Sequence, residues 1–454
     1  MVERHNIVLV VLDGVRADHV SCYGYARETT PFLDQVAREG VRFSHVFTTA
    51  PSTLPSHASL FTGLYSVTHG ATEEQPLLPA RHKVLAEYLK AAGYRTAAFC
   101  TSPRVSPETG FGRGFDAFFT QRRASRLATR ALLYGRKASD KLLRREDAGA
   151  RRTNEVLTEW LTSAGEPFFA FVHYSEAHLP LHPPPPYDHL FVPRDVSVAR
   201  VSQDVFKHLP GAMDMEGEDS SLLSGLYDGA LRYVDARLRE VADVLRGRGV
   251  WDRTLFLVTA DHGENLGEHD MIGHEFGLYD TELRVPLVLR CPPRVPQGFV
   301  GEDLAQLTDV VPTVVRLLEL DDDASTCQGR VLLERGRATQ GPTFVVSERF
   351  RPDLSALRKR LSGFDTRPLD VRTKAIRTAR QKFVWHSDEA NELYDLTTDP
   401  GETRNLIEND AALADALRRQ LFDWLAAVEK FESSVPATGI ERVLQSVQEA
   451  GTAD

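Results

Sequence analysis

The run Ile7-Val-Leu-Val-Val-Leu12, closed by Asp13-Gly14, decides the fold. An unbroken series of β-branched and leucine residues lacks the alternation of a half-buried strand and is too short for a helix. It suits a strand buried on both faces, as in a parallel sheet covered by helices. Asp13 then stands just past a strand's carboxyl end, the edge of open α/β sheets where ligands bind. The chain continues as alternating elements: a helix opened by Thr30-Pro31 and stopped at Gly40, a strand at 41–45, a helix at 82–92 before Gly93, and strands at 96–100 and 168–173. A long helix with apolar Leu222, Leu223, Leu226, Ala230, Val234, Leu238, Val241 and Leu245 leads into an apolar strand at 254–259. That strand ends in Ala260-Asp-His-Gly263, which repeats the situation of Asp13. Residues 285–289 read as a last core strand and 309–319 as a helix. The pattern predicts an α/β fold, a doubly wound, mostly parallel sheet flanked by helices.

Ala50-Pro-Ser-Thr-Leu-Pro-Ser-His-Ala-Ser-Leu-Phe-Thr-Gly63 reads as a polar loop entering a short helix. Thr53 suits the N-cap, Pro55 the first turn, and Gly63 the left-handed position after the last turn. A hydroxyl there lies at the positive end of the helix dipole, where N–H groups receive phosphate or sulfate oxygens and favour an ionised nucleophile. The same residue serves equally as a simple cap, its oxygen turned to the first-turn amides.

After about residue 340 the strands shorten, at 344–347, 375–378, 382–385 and 392–395, and a helix follows at about 411–429. Residues 1–340 are accordingly expected to form a catalytic α/β domain and 341–454 a small C-terminal α+β subdomain of antiparallel sheet and helix. Residues 121–163 read as a helical insertion, and within 122–152 eleven basic residues face only Asp140, Glu146 and Asp147. A solvated insertion explains this composition; a basic lid over an anionic substrate, a membrane-surface contact or an oligomer arm are the alternatives.

The 454 residues carry a net charge of −10, which argues against general nucleic-acid binding. No window reaches the ~18–20 apolar residues of a membrane span, and the start of the chain reads as a strand rather than a signal peptide. Cys22, Cys100, Cys291 and Cys327 lie far apart, without metal-type spacing, and read as reduced thiols of a cytoplasmic protein.

Five stretches, Asp13-Gly-Val-Arg-Ala-Asp18, Thr53-Leu-Pro-Ser-His-Ala-Ser-Leu-Phe-Thr-Gly63, Gly114-Phe-Asp116, Asp261-His-Gly-Glu-Asn-Leu-Gly-Glu-His269 and Glu392-Leu-Tyr-Asp-Leu-Thr-Thr-Asp-Pro400, resemble sulfatase-family signatures of the alkaline phosphatase superfamily, in family order. The resemblance implies an alkaline-phosphatase-like fold and an enzyme acting on a small anionic ester. The departures from the family are chemical. Sulfatases carry Cys or Ser in a Cys/Ser-x-Pro-x-Arg motif and convert it to formylglycine; here Thr53 and His57 stand at those places, and threonine cannot become formylglycine. Gly14 replaces a second acid, and His262 follows Asp261. The set Asp13, Thr53, Asp261 and His262 resembles the one-metal site of superfamily members that use an unmodified threonine on phosphoryl substrates.

Two carboxylates, an imidazole and a hydroxyl suit one divalent ion, Mn²⁺, Zn²⁺ or Mg²⁺, better than Ca²⁺. Such an ion lowers the pKa of a bound hydroxyl and neutralises charge on the transferring group. The expected reaction is hydrolysis of phosphate mono- or diesters or phosphonate esters through a Thr53 nucleophile and a phosphothreonine intermediate. Sulfate-ester hydrolysis without formylglycine, phospho-group transfer to an alcohol, and a non-catalytic scaffold are the alternatives. The resemblance places substrate-side groups near His178 and His274, which become the candidate proton donors to the leaving group. Glu176 with His178 and His274 is an alternative second metal set; His69, His182 and His269 are weaker candidates.

Overall fold

The structure is a computed structural model that describes residues 4–120, 147–205, 209, 217–320, 324–334, 336–361 and 363–434. Its centre is a nine-stranded sheet. The strands in chain order are β1 (Asn6–Leu12), β2 (Val41–Phe47), β3 (Arg95–Cys100), β4 (Ala117–Thr120), β5 (Phe168–Tyr174) and β6 (Thr254–Ala260). A small hairpin, β7 (Asn265–Leu266) and β8 (Ile272–Gly273), precedes β9 (Arg284–Val285), β10 (Leu287–Arg290) and β11 (Phe299–Gln306). The sheet order is β11-β2-β10-β6-β1-β5-β3-β4, with β9 against β2. Pairing is parallel except along β9 and β10. Every residue of β1, β5 and β6 is buried, as an uninterrupted apolar run at the centre of a covered sheet requires. Helices flank the sheet: α1 (Pro31–Arg38) packs on β10, and Leu85–Ala91 and Ala150–Ser163 pack on β3.

Two sequence expectations about the sheet are corrected. The strand expected at 285–289 is divided at Pro286, whose missing N–H cannot join a ladder. Nor is it the last core strand, because β11 follows and pairs in parallel with β2. Its sequence Phe-Val-Gly-Glu-Asp-Leu-Ala-Gln carries the polar content of an edge strand, so it lacks the apolar run that marked the others. The helix expected at 82–92 begins only at Leu85. Of the expected helical insertion, Ala150–Ser163 is a helix, while residues 121–146, which hold most of the basic cluster, lie outside the described residues.

After the short β12 (Leu333–Glu334) and β13 (Arg337–Ala338), strands β14 (Phe344–Arg349), β15 (Thr373–Thr378), β16 (Gln381–His386) and β17 (Glu392–Asp395) form an antiparallel sheet. The helix Ala411–Ser434 covers one face through Leu417, Leu421 and Leu425. The other face shares a core with the main sheet, where Val345, Ala375 and Val384 meet Phe47, Leu283 and Leu304. The four cysteines are free thiols. Among the described residues no helix is long and apolar enough to cross a membrane.

Candidate active site

Strand register assembles the site. Leu12 stands opposite Tyr174 on one side and Ala260 on the other, so the next residues, Asp13, Ser175 and Asp261, emerge level at the carboxyl edge of three adjacent strands. The chain then turns sharply at Gly14, whose φ of +74° is the left-handed region that favours glycine. Tyr227 of the long helix Gly217–Gly247 clamps this turn, donating to the Gly14 carbonyl at 2.7 Å and accepting from the Arg16 amide at 2.9 Å.

Helix α2 (Thr53–Thr62) points its N-terminus at that edge. Ser56 ties it down, its hydroxyl donating to the Asp261 carbonyl at 2.6 Å. Gly63 ends the helix with a φ of +71°, as the sequence indicated. The cap position, however, belongs to Ser52. Thr53 is the first helical residue, and its Oγ1 lies 3.3 Å from His262 Nε2 instead of capping an amide.

His262 is fully buried. Its Nδ1 lies 2.9 Å from the Gly263 carbonyl, which only accepts, so Nδ1 carries the proton and Nε2 presents a lone pair. That lone pair faces Thr53 Oγ1, Asp13 Oδ1 at 3.5 Å and Asp261 Oδ2 at 3.5 Å. Burial pushes the imidazole down to about 3, so it stays neutral. Asp261 accepts from the amides of His262 at 3.0 Å and Gly14 at 3.3 Å through Oδ1. Asp13 Oδ1 and Asp261 Oδ2 are buried without hydrogen-bond partners among the described residues. Burial, and for Asp13 then the neighbouring Asp261 charge, raises both carboxyls above their usual range. Orphaned buried carboxylate oxygens converging with a bare imidazole nitrogen fit a divalent cation, since a buried charge requires a counter-charge or a metal.

Behind Asp13, Asp261 and His262 stand residues to which the sequence reading gave no role. His173, buried at the end of β5, places Nε2 3.4 Å from Asp13 Oδ2, and its Nδ1 lies 2.9 Å from Thr101 Oγ1. His57 donates from Nδ1 to the Thr53 carbonyl at 2.8 Å, and the same nitrogen lies 3.5 Å from Asp261 Oδ2. Partners of this kind orient ligating carboxylates. Their signal in the sequence was weak: His173 ends an apolar strand, and His57 lies in a helix buried along its whole length.

His178 and His274 face each other, Nε2 to Nε2, at 3.1 Å. The His274 ring stacks on His262 with centroids 3.9 Å apart. Both are half-buried, and together with exposed Arg104, whose charge acts on His274, they form the solvent-facing side of the site. The carboxylate beside them is Glu264, with Oε1 3.8 Å from His178 Nε2. Glu176, the acid considered with this pair, is engaged elsewhere, accepting the Ala150 amide at 2.7 Å. Glu264 was visible as the fourth residue of Asp261-His-Gly-Glu264, but nothing local indicates that its side chain turns back toward the two histidines. The weaker candidates have other occupations: His69 bonds Ser59 and the Ala71 amide, His269 stacks on Tyr279 at 3.6 Å, and His182 is exposed.

A sulfatase family profile matches residues 5–320. Uncharacterized sulfatase YidJ of Escherichia coli (strain K12) is 26% identical over 93% of this chain and 86% of its own length. Multifunctional alkaline phosphatase superfamily protein PehA of Trinickia caryophylli is 27% identical over 73% of this chain and 76% of its own. Among solved structures, the phosphonate monoester hydrolase of Agrobacterium radiobacter shares the fold with a TM-score of 0.77 and 24% identity, covering 94% of this chain and 96% of that one.

Proposed function

The chain belongs to the sulfatase family of the alkaline phosphatase superfamily and is an ester hydrolase; from that premise we propose that it cleaves phosphate or phosphonate esters with the Thr53 hydroxyl as nucleophile. The observation that carries this reading is the position of Thr53 Oγ1, 3.3 Å from the bare Nε2 of His262 at the N-terminus of α2. A threonine side chain is not a source of formylglycine, so the nucleophile is the hydroxyl itself. Asp13, Asp261, His262 and Thr53 would hold a divalent cation, which supplies acidification of the hydroxyl and neutralisation of charge on the transferring group.

In this reading Thr53 Oγ1 attacks phosphorus in line and the ester P–O bond breaks. The departing oxygen leaves with the electron pair of that bond and is met by a proton or a positive charge on the His178–His274 side, while the Thr53 hydroxyl proton passes to water. The phosphothreonine is then opened by water, which releases the acid and restores the hydroxyl. The positive end of α2 faces the charge that develops on the non-bridging oxygens. A phosphate monoester dianion carries more charge than a sulfate ester, and a phosphodiester or phosphonate monoester concentrates its single charge on two non-bridging oxygens instead of three, which favours phosphorus esters over sulfate in such a site. Support also comes from the relatives, which include a phosphonate monoester hydrolase and a multifunctional superfamily enzyme as well as sulfatases.

The test is turnover of p-nitrophenyl phosphate, bis-p-nitrophenyl phosphate, a phenylphosphonate ester and p-nitrophenyl sulfate by cation-loaded protein, with Thr53→Ala as control. Phosphoryl or phosphonyl turnover reduced at least about a thousandfold in the control is expected. Sulfate turnover with the phosphorus esters inert, or full turnover by Thr53→Ala, refutes the reading.

A further inference from the structure

We propose that His178, Glu264 and His274 form a second divalent-cation site beside the first. His178 Nδ1 lies 2.5 Å from the Leu179 carbonyl and His274 Nδ1 lies 2.8 Å from the Pro51 carbonyl. A carbonyl only accepts, so each Nδ1 carries a proton, and a ring with no second proton presents a lone pair at Nε2. The two Nε2 atoms lie 3.1 Å apart. The arrangement is repulsive unless a proton or a cation sits between them.

Glu264 decides between these occupants. It is fully buried, and neither carboxylate oxygen has a hydrogen-bond partner among the described residues. The fold makes room for it. A Cβ at Gly14 would stand 3.0 Å from Glu264 Cγ and 3.3 Å from Oε1, and Gly273, at a φ of +94°, borders Oε2. Two imidazole nitrogens and a carboxylate, with an open side toward solvent, are the donor set of three-ligand zinc sites. Nitrogens ~2.1 Å from one ion at a tetrahedral angle stand ~3.4 Å apart, against the observed 3.1 Å. A shared proton would satisfy the two nitrogens and leave both Glu264 oxygens orphaned, whereas a cation satisfies all three groups.

Because His274 stacks on His262, the two clusters adjoin. Cations on either side of the transferring group would bind both the attacking and the departing oxygen. This deepens the proposed function at the same site, yet its test reads metal content and stands apart from turnover.

Full-length protein is reconstituted with Zn²⁺ or Mn²⁺, desalted and measured by elemental mass spectrometry. Wild type is expected to retain about two ions per chain, and Glu264→Gln and His178→Asn about one each, with far-ultraviolet circular dichroism verifying that the variants fold. Replacement by Co²⁺ should give a visible absorption band that Glu264→Gln diminishes. Wild type with one ion and an unchanged count in Glu264→Gln overturns the proposal in favour of the shared proton. Two ions retained in both single variants overturns it as well. A one-ion protein that still turns over phosphorus esters leaves the proposed function standing and removes only the second site.

Discussion

Lys382→Met tests how firmly the C-terminal sheet is locked to the strand edge that carries the site. Lys382 is fully buried on β16, its Nζ 2.9 Å from Asp280 Oδ1 and 2.6 Å from Glu402 Oε1. Asp280 begins the helical turn Asp280–Leu283, and the Glu282 carbonyl in that turn accepts the Gly263 amide at 2.8 Å, next to His262. Methionine keeps the length and apolar stem but removes the charge. Breaking a buried ion pair from one side costs about 3–5 kcal/mol. The lower end, about 3 kcal/mol at pH 7, is expected here. Asp280 keeps Arg377 at 3.1 Å, and Glu402, which burial pushes up to about 7, can take a proton.

The pH dependence has a definite sign. Loss of Lys382 raises the Glu402 carboxyl further, so above pH 7 the folded variant binds a proton that folded wild type has released. The penalty therefore grows with rising pH by up to about 1.4 kcal/mol per unit and levels off below pH 7. Urea unfolding at pH 6, 7 and 9, followed by the fluorescence of Trp385 on the same strand, measures it. A loss below about 1 kcal/mol at pH 7, or a penalty that grows as the pH falls, refutes the reasoning.

Further outcomes follow from the same geometry. Glu176 is pushed up to about 8 by burial and then by the Asp147 charge, so the folded state holds a proton that the unfolded chain releases near 4.5. The group therefore withdraws stability as the pH rises between those values, and Glu176→Gln should melt higher than wild type at pH 8 and level with it at pH 5. Since Glu176 caps Ala150, the metal content of this variant should be unchanged; loss of an ion would return it to the site. Excess Zn²⁺ or Mn²⁺ at about a hundred times its dissociation constant should stabilise wild type by ~2.7 kcal/mol. Chelator should reverse that gain together with turnover, and a full gain in Asp261→Asn would contradict ligation at that residue.

Sequence alone was sufficient for the features that are local. An apolar run such as 7–12 identifies a doubly buried strand because the hydrophobic effect acts on each residue's own surface, and an acid placed after such a run must stand at a strand end. The places of Asp13, Asp261 and His262 just past strand ends were legible for that reason, as was the antiparallel group after residue 340, with its helix. Strand β11 escaped because an edge strand buries too little to show a pattern. The cap of α2 escaped because Ser52 and Thr53 are both good cap residues and only backbone dihedrals distinguish them. Tertiary structure decided the rest. The level of Asp13 with Ser175 and Asp261 is set by the register of β1 with β5 and β6, a property of pairing between distant segments. The approach of Glu264 to His178 and His274 depends on a turn at Gly14 and a hairpin at Gly273 that leave space for one side chain. Convergence of this kind belongs to the packed chain, because His178 meets His274 across 96 residues of sequence and neither carries a local mark of its partner.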